Sequence, residues 1–249
     1  MNLKKPLFLA VYITFFMSPS VGFASKVDAE SFFSTCESKF PKHLFKGKYR
    51  KSFEDIFKYW EGTAYTDNRW LAYILATAYR ESAGTMQPVR EGLCKTDQCS
   101  IDKITAYFEK KNRPQHDNYA LPDKYGRSYF GRGLVQLTHK RNYKRVGEAI
   151  GMGDKLVENP DLALDNGVSI KVLVEGSAQG LFVKNRKTKQ WRKLSDYFNE
   201  DKSDWHGARK IINPGSKRAH IPAKHGQKFF ACLESPDRGS VNPPPLGGG

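Results

Sequence analysis

Acidic residues, cysteines and long apolar runs are all scarce in this chain. Asp and Glu number 26 against 41 Lys and Arg, which leaves a formal charge of +15. A protein short of acid is drawn to polyanions: nucleic acid, anionic lipid, or a bacterial wall with its peptide carboxylates. The basic residues are scattered and form no nucleic-acid-binding motif, which argues against nucleic acid. The same charge also serves solubility. Histidines are few, and His220 and His225 are five apart, so a helix would point them to different faces. A metal site is therefore not expected. One apolar run stands out, Leu7 to Met17, and it is too short to span a bilayer. No membrane insertion is expected once that segment is gone.

What is present at the start reads as an export signal. Lys4 and Lys5 precede the apolar run, Ser18-Pro19-Ser20 breaks it, and Gly22-Phe23-Ala24 offers small residues for cleavage. The expected organisation is a leader over 1–24, one domain over 25–235, and a loose tail over 236–249 containing Asn242-Pro-Pro-Pro. Export, to the periplasm or outside the cell, permits disulfides. Four cysteines allow three pairings. Cys94 and Cys99 bracket a tight Lys-Thr-Asp-Gln loop and are the first expected pair. Cys36 with Cys232 would then tie the ends of the domain together.

The pattern between these ends is mainly α. Apolar spacing predicts a helix over Glu54–Trp60, and one from an Asp67 cap to Ser82, closed by Gly84. Further helices are expected from a Ser100 cap through Phe108, over Arg141–Ile150, over Val168–Leu181, over Asp204–Ile212 and over Ala223–Leu233. Tyr129 to Thr138 alternates glycine with apolar residues and suggests a small hairpin. Asn185 to Arg192 reads as a basic loop.

Glu81 is the residue with chemical content. It lies seven positions after Ile74, almost two turns, and so should face with the stripe Leu71, Ile74, Leu75 and Ala78. Burial there, and the negative end of the helix dipole, both favour a protonated carboxyl. A glycosidase general acid needs that property. The competing reading is a helix-end Glu paired with Arg80 or Arg90. A second carboxylate is required, and Glu91 in the following loop is the nearest, with Asp97 and Asp102 as rivals.

Three stretches then resemble glycoside hydrolase family 19, the chitinase and phage-endolysin branch of the lysozyme-like superfamily. They are Ala76–Glu91 (ATAYRESAGTMQPVRE), Tyr129–Tyr143 (YFGRGLVQLTHKRNY) and Asp204–Asn213 (DWHGARKIIN). With Asn159–Leu164 and Lys193–Phe198, the likeness covers about residues 50–230. The resemblance implies a two-lobed helical domain with a small β-hairpin and a substrate cleft, an inverting mechanism and no cofactor. It makes Glu81 the acid, with Thr138 helping to hold the attacking water, and Glu91 stays the candidate base beside Asp97 and Asp102. Gln136, Asn142 and Asn213 would hold the sugar, and Tyr129 would offer it an aromatic face. The expected substrate is the glycan strand of bacterial peptidoglycan, cut by a monomeric enzyme. Chitin is the alternative, and a catalytically weak wall-binding protein is a third reading.

Overall fold

The computed structural model describes residues 26–235. The expected leader with its cleavage site, and the expected tail, lie outside the described residues. The architecture is mainly helical. Among the described residues eight α-helices run in chain order: α1 Ala29–Cys36, α2 Gly47–Glu61, α3 Asn68–Glu81, α4 Asp97–Lys110, α5 Lys140–Ala149, the single turn α6 Lys155–Glu158, α7 Asn166–Gln179 and α8 His220–Leu233. Two very short antiparallel ladders accompany them. β1 Val89–Arg90 pairs with β2 Arg132–Gly133, and β3 Phe198–Asn199 pairs with β4 Lys202–Ser203.

The helix α3 is the central post. Asp67 caps it by accepting from Arg69 N, as the sequence suggests. The apolar side is wider than the expected stripe. Every residue from Leu71 to Ala78 is buried. A helix apolar all round is one enclosed by neighbours, and here α8 and α7 pack against it. Gly226 on α8 makes close approach possible: a Cβ there would stand 2.8 Å from the Trp205 ring and 3.4 Å from Tyr73.

A large core gathers Phe32, Phe33, Phe45, Phe53, Phe57 and Phe229 around α1, α2 and α8. Their rings meet mainly edge-to-face or tilted, while Phe229 stacks on Phe40 with centroids 4.2 Å apart. A second, small core holds Ile104, Phe108, Ala120 and Phe130 beneath α4. The β1–β2 ladder lies between the two. Both expected disulfides are formed, Cys36–Cys232 and Cys94–Cys99. The first closes 196 residues, the second 5.

Several expected boundaries move for local reasons. The helix α4 begins at Asp97, not Ser100, because Thr96 accepts from Cys99 N and serves as its cap. Ser100 is buried, and its hydroxyl donates to Glu91 O at 2.9 Å. The expected Tyr129–Thr138 hairpin is closed by a single Arg132–Leu137 bridge, while its strand β2 pairs with the distant β1. The basic loop over 185–192 is hairpin-like, joined by a Lys184–Trp191 bridge. The expected helix over Asp204–Ile212 is a 3₁₀ turn, Gly207–Ile211.

Candidate active site

Glu81 ends α3, where the helix emerges from the core. Its side chain is 16 % exposed and forms an ion pair with Arg209, which is 8 % exposed. The competing reading of Glu81 as a paired carboxylate is correct in kind, but the partner is neither Arg80 nor Arg90. Arg209 arrives from the 3₁₀ turn, 128 residues later in the chain. Glu81, Arg80, Arg209, Arg90 and Gln136 line one cavity of about 270 Å³.

Glu91 follows β1, and its two oxygens are held separately. Tyr119 Oη donates to Oε1 at 2.8 Å, and Gly131 N donates to Oε2 at 2.7 Å. Burial, then the charge of Glu91, pushes the Tyr119 phenol far up, so it stays a donor. Gly131 is glycine for a steric reason. A Cβ there would lie 2.8 Å from Gln136 Oε1 and 3.1 Å from Glu91 Oε2.

The rivals of Glu91 are accounted for otherwise. Asp97 accepts from Arg90 Nε and from Arg132 Nη2, both at 2.6 Å. Asp161 accepts from the same two arginines, with Arg132 Nε at 2.7 Å. Arg90, Asp97, Arg132 and Asp161 therefore close a ring of four ion pairs. Arg132 is 1 % exposed, with its guanidinium carbon 3.7 Å from the Phe130 ring centroid. The ring clamps β1 to β2, one residue from Glu91 and one from Gly131. Asp102 is exposed and accepts from Gln98.

Gln136, Thr138 and Asn142 form a continuous chain of bonds. Gln136 Nε2 donates to Val89 O at 2.9 Å, Thr138 Oγ1 to Gln136 O at 2.8 Å, and Asn142 Nδ2 to Thr138 O at 2.8 Å. Gln136 and His139 both take positive φ, 55° and 72°. Such backbone costs about 1 kcal/mol for a non-glycine residue and gathers at functional sites. All three residues line a larger cavity of about 1090 Å³ that shares Gln136 with the Glu81 cavity.

Two expected sugar contacts stand differently. Tyr129 is 5 % exposed, its hydroxyl donating to Val157 O at 3.0 Å and its ring packed on Tyr143. It is a core residue and presents no face to the cleft. Asn213 is exposed just past the 3₁₀ turn, between Ile212 and Pro214, which do line the larger cavity.

Arg209, Tyr119 and His139 were not picked out from sequence. Arg209 lies inside the third motif stretch, so that signal existed. Tyr119 sits in a polar loop with no pattern around it. His139 packs edge-on against Tyr119, with centroids 4.9 Å apart. Another cavity, about 700 Å³ between α2 and α7, holds Glu175. That carboxylate is fully engaged by the Tyr59 and Tyr65 hydroxyls and by Gln179.

Comparison with known proteins places this geometry in a family. The family model of chitinase class I, glycoside hydrolase family 19, matches residues 50–176, and the chain belongs to that family. The acidic 26 kDa endochitinase of Solanum lycopersicum is 53 % identical over 47 residues, 18 % of this chain and 19 % of that protein. Chitinase 3 of Oryza sativa subsp. japonica is 33 % identical over 116 residues, 44 % of this chain and 33 % of that protein. The chain thus spans a third or less of the length of these relatives. Chitinase C from Streptomyces griseus HUT6037 shares the fold, with a TM-score of 0.51 at 18 % identity over 84 % of this chain and 93 % of that one.

Proposed function

We propose that the chain is a glycoside hydrolase that cuts β-1,4 bonds between N-acetylated amino sugars by inversion, Glu81 acting as general acid and Glu91 as general base. The observation that carries this reading is a pair of partly buried carboxylates held by unlike partners: Glu81 lines the smaller cavity, and Glu91 lies between Arg90 and Gly92, which line it too, with Gln136 joining that cavity to the one lined by Thr138 and Asn142. Glu91 is fixed as an acceptor by Tyr119 and Gly131, which suits a group that takes a proton from water. Among the described residues Glu81 meets one cation, Arg209. To serve as the acid it must take up a proton from solvent and leave Arg209, and a glycosidic oxygen entering the cavity then accepts that proton. Thr138 holds the attacking water, and Gln136, Asn142 and Asn213 hold the sugar.

Chitin is the polymer that the relatives' names support, ahead of peptidoglycan. A peptidoglycan strand remains the second reading, because the charge of +15 suits an acidic polymer. Two disulfides support work in an oxidising compartment, the periplasm or the cell exterior.

The test is release of new reducing ends from chitin oligomers and from purified peptidoglycan. Glu81→Gln should lower kcat by about 10²- to 10⁴-fold, and it should lower the melting temperature as well, because it leaves the nearly buried Arg209 without its carboxylate. Full activity in that variant would overturn the assignment. Binding of wild-type protein without any release would favour the wall-binding reading. Proton NMR of the first product should show the inverted anomer.

A further inference from the structure

The cleft beyond Thr138 is built from one sign of charge. Arg141, Arg145, Lys184, Arg186, Lys187 and Arg192 line its larger cavity, and no carboxylate does. Elsewhere Arg50, Arg69, Arg90, Arg132 and Arg209 meet acids, while Arg80, Arg113, Arg127 and Arg218, scattered over the rest of the described residues, do not. None of the six cleft cations is ion-paired among the described residues. Gathering like charges in a concave surface costs free energy through repulsion and focuses a positive potential there.

One indole organises the cluster. Lys184 and Trp191 face each other across the hairpin bridge. The hairpin is held by Arg192 N donating to Val183 O at 3.0 Å and Asn185 N donating to Gln190 O at 2.7 Å. The Arg145 guanidinium carbon lies 3.9 Å from the Trp191 ring centroid, and the Lys184 ammonium 4.7 Å. Stacking of this kind orders a cation without neutralising it. Arg145 is fixed further by donating from Nε to Leu181 O at 2.8 Å and from Nη2 to Asn142 Oδ1. The cation cluster is therefore bonded directly to a proposed sugar-holding amide. Arg192 donates Nη1 to Tyr197 Oη at 3.0 Å and leaves its buried Nε without an acceptor among the described residues.

An uncharged chain of N-acetylglucosamine can accept hydrogen bonds from these cations but has no charge to balance six of them. A carboxylate does, through charge-assisted hydrogen bonds that guanidinium and ammonium groups both supply. We propose that the Trp191 hairpin and Arg145 form an anion-recognising subsite, through which the cleft also takes amino-sugar strands that carry carboxylate-bearing substituents. The subsite rests on the glycosidase reading and names the substrate class of the same cleft.

Two charge-matched double variants of the full chain test it. Lys184→Glu with Arg186→Glu reverses the subsite, and both side chains are exposed, so the fold tolerates the change. Lys110→Glu with Lys111→Glu makes the same change of net charge at the end of α4. Purified peptidoglycan and an N-acetylglucosamine hexamer are the substrates. The subsite reversal should raise KM for peptidoglycan about tenfold and leave turnover of the hexamer within about twofold. The α4 reversal should leave both unchanged. Equal losses from the two variants, equal losses on the two substrates, or an unaltered KM for peptidoglycan would each overturn the proposal. Co-sedimentation with peptidoglycan and with chitin separates this outcome from failure of the glycosidase reading. Should neither polymer be cut, the subsite still requires that its reversal alone releases the protein from peptidoglycan.

Discussion

Glu81, which lines the smaller cavity, and Glu91, which lies between two residues of its lining, rest on different kinds of support. Glu81 rides on α3, whose shaft is buried on every side from Leu71 to Ala78. Apolar packing fixes the helix, and the helix fixes the carboxylate. Glu91 sits beside a small core of four buried side chains. There the fixing is polar: a phenol, a backbone amide and a ring of four ion pairs. Apolar burial is non-directional and tolerates repacking. Hydrogen bonds and paired charges set angles and fail sharply when one member is lost. The Glu81 side is built for rigidity and the Glu91 side for aim.

The disulfides give the strongest way to break this comparison. Cys36 joins α1 to α8 across 196 residues in the large core, and Cys94–Cys99 closes only 5 beside Glu91. By loop entropy the first contributes about 5 kcal/mol and the second about 2 kcal/mol. Cys36→Ser with Cys232→Ser should therefore lower denaturant stability more than Cys94→Ser with Cys99→Ser. Equal losses would show that loop length does not govern here.

Arg132→Met is the next largest change. It removes the buried member of the ion-pair ring and leaves Asp97 and Asp161 to Arg90 alone. Those acids are 41 % and 43 % exposed, so solvent softens the loss to about 2 kcal/mol. Because β2 carries Gly131, kcat should also fall about tenfold while Glu81 stays in place. Loss of stability with kcat intact would reduce the ring to a structural clamp.

Acid should loosen both regions by the smallest amount. Burial holds His225 below the ordinary histidine value, and Lys228, Arg80 and Lys224 add to the effect. Burial, then Arg141, does the same to His139. The neutral imidazole is the form the fold favours. Its contribution is present above the unfolded value of about 6.5 and is lost as pH falls below it toward the lowered folded value. Melting temperature should drop on acidification from pH 7 to 5. His225→Phe should flatten that drop, and an unchanged slope would remove His225 from the account.

Much of this was legible in the chain. The spacing around Asp67 and Leu71 marks α3, because a cap and an apolar repeat are local signals. The three motif stretches name the family and include Glu81, Glu91, Gln136, Thr138 and Asn142. Tyr129 was misread, since an aromatic beside a motif looks the same whether its ring turns to the cleft or to Tyr143. Asp97 stayed a rival to Glu91 because nothing local shows that Arg90 and Arg132 both take it. The Trp191 hairpin read as a loop, because a two-residue bridge leaves no periodic trace.

By itself the amino-acid order marked most of the long helices, the charge imbalance and Glu81 as the candidate acid, and it put the observed disulfide pairing first among three. Each follows from near-neighbour spacing, composition or a contiguous motif. Only the tertiary structure decided what Glu81 meets. Arg209 reaches it from 128 residues away. Likewise, Tyr119 reaches Glu91 from 28 residues away, and Asp161 reaches Arg90 from 71. A carboxylate's chemistry is set by the charges and donors within a few ångströms, and in this protein the packing of α3, β1 and β2 brings those groups in from elsewhere.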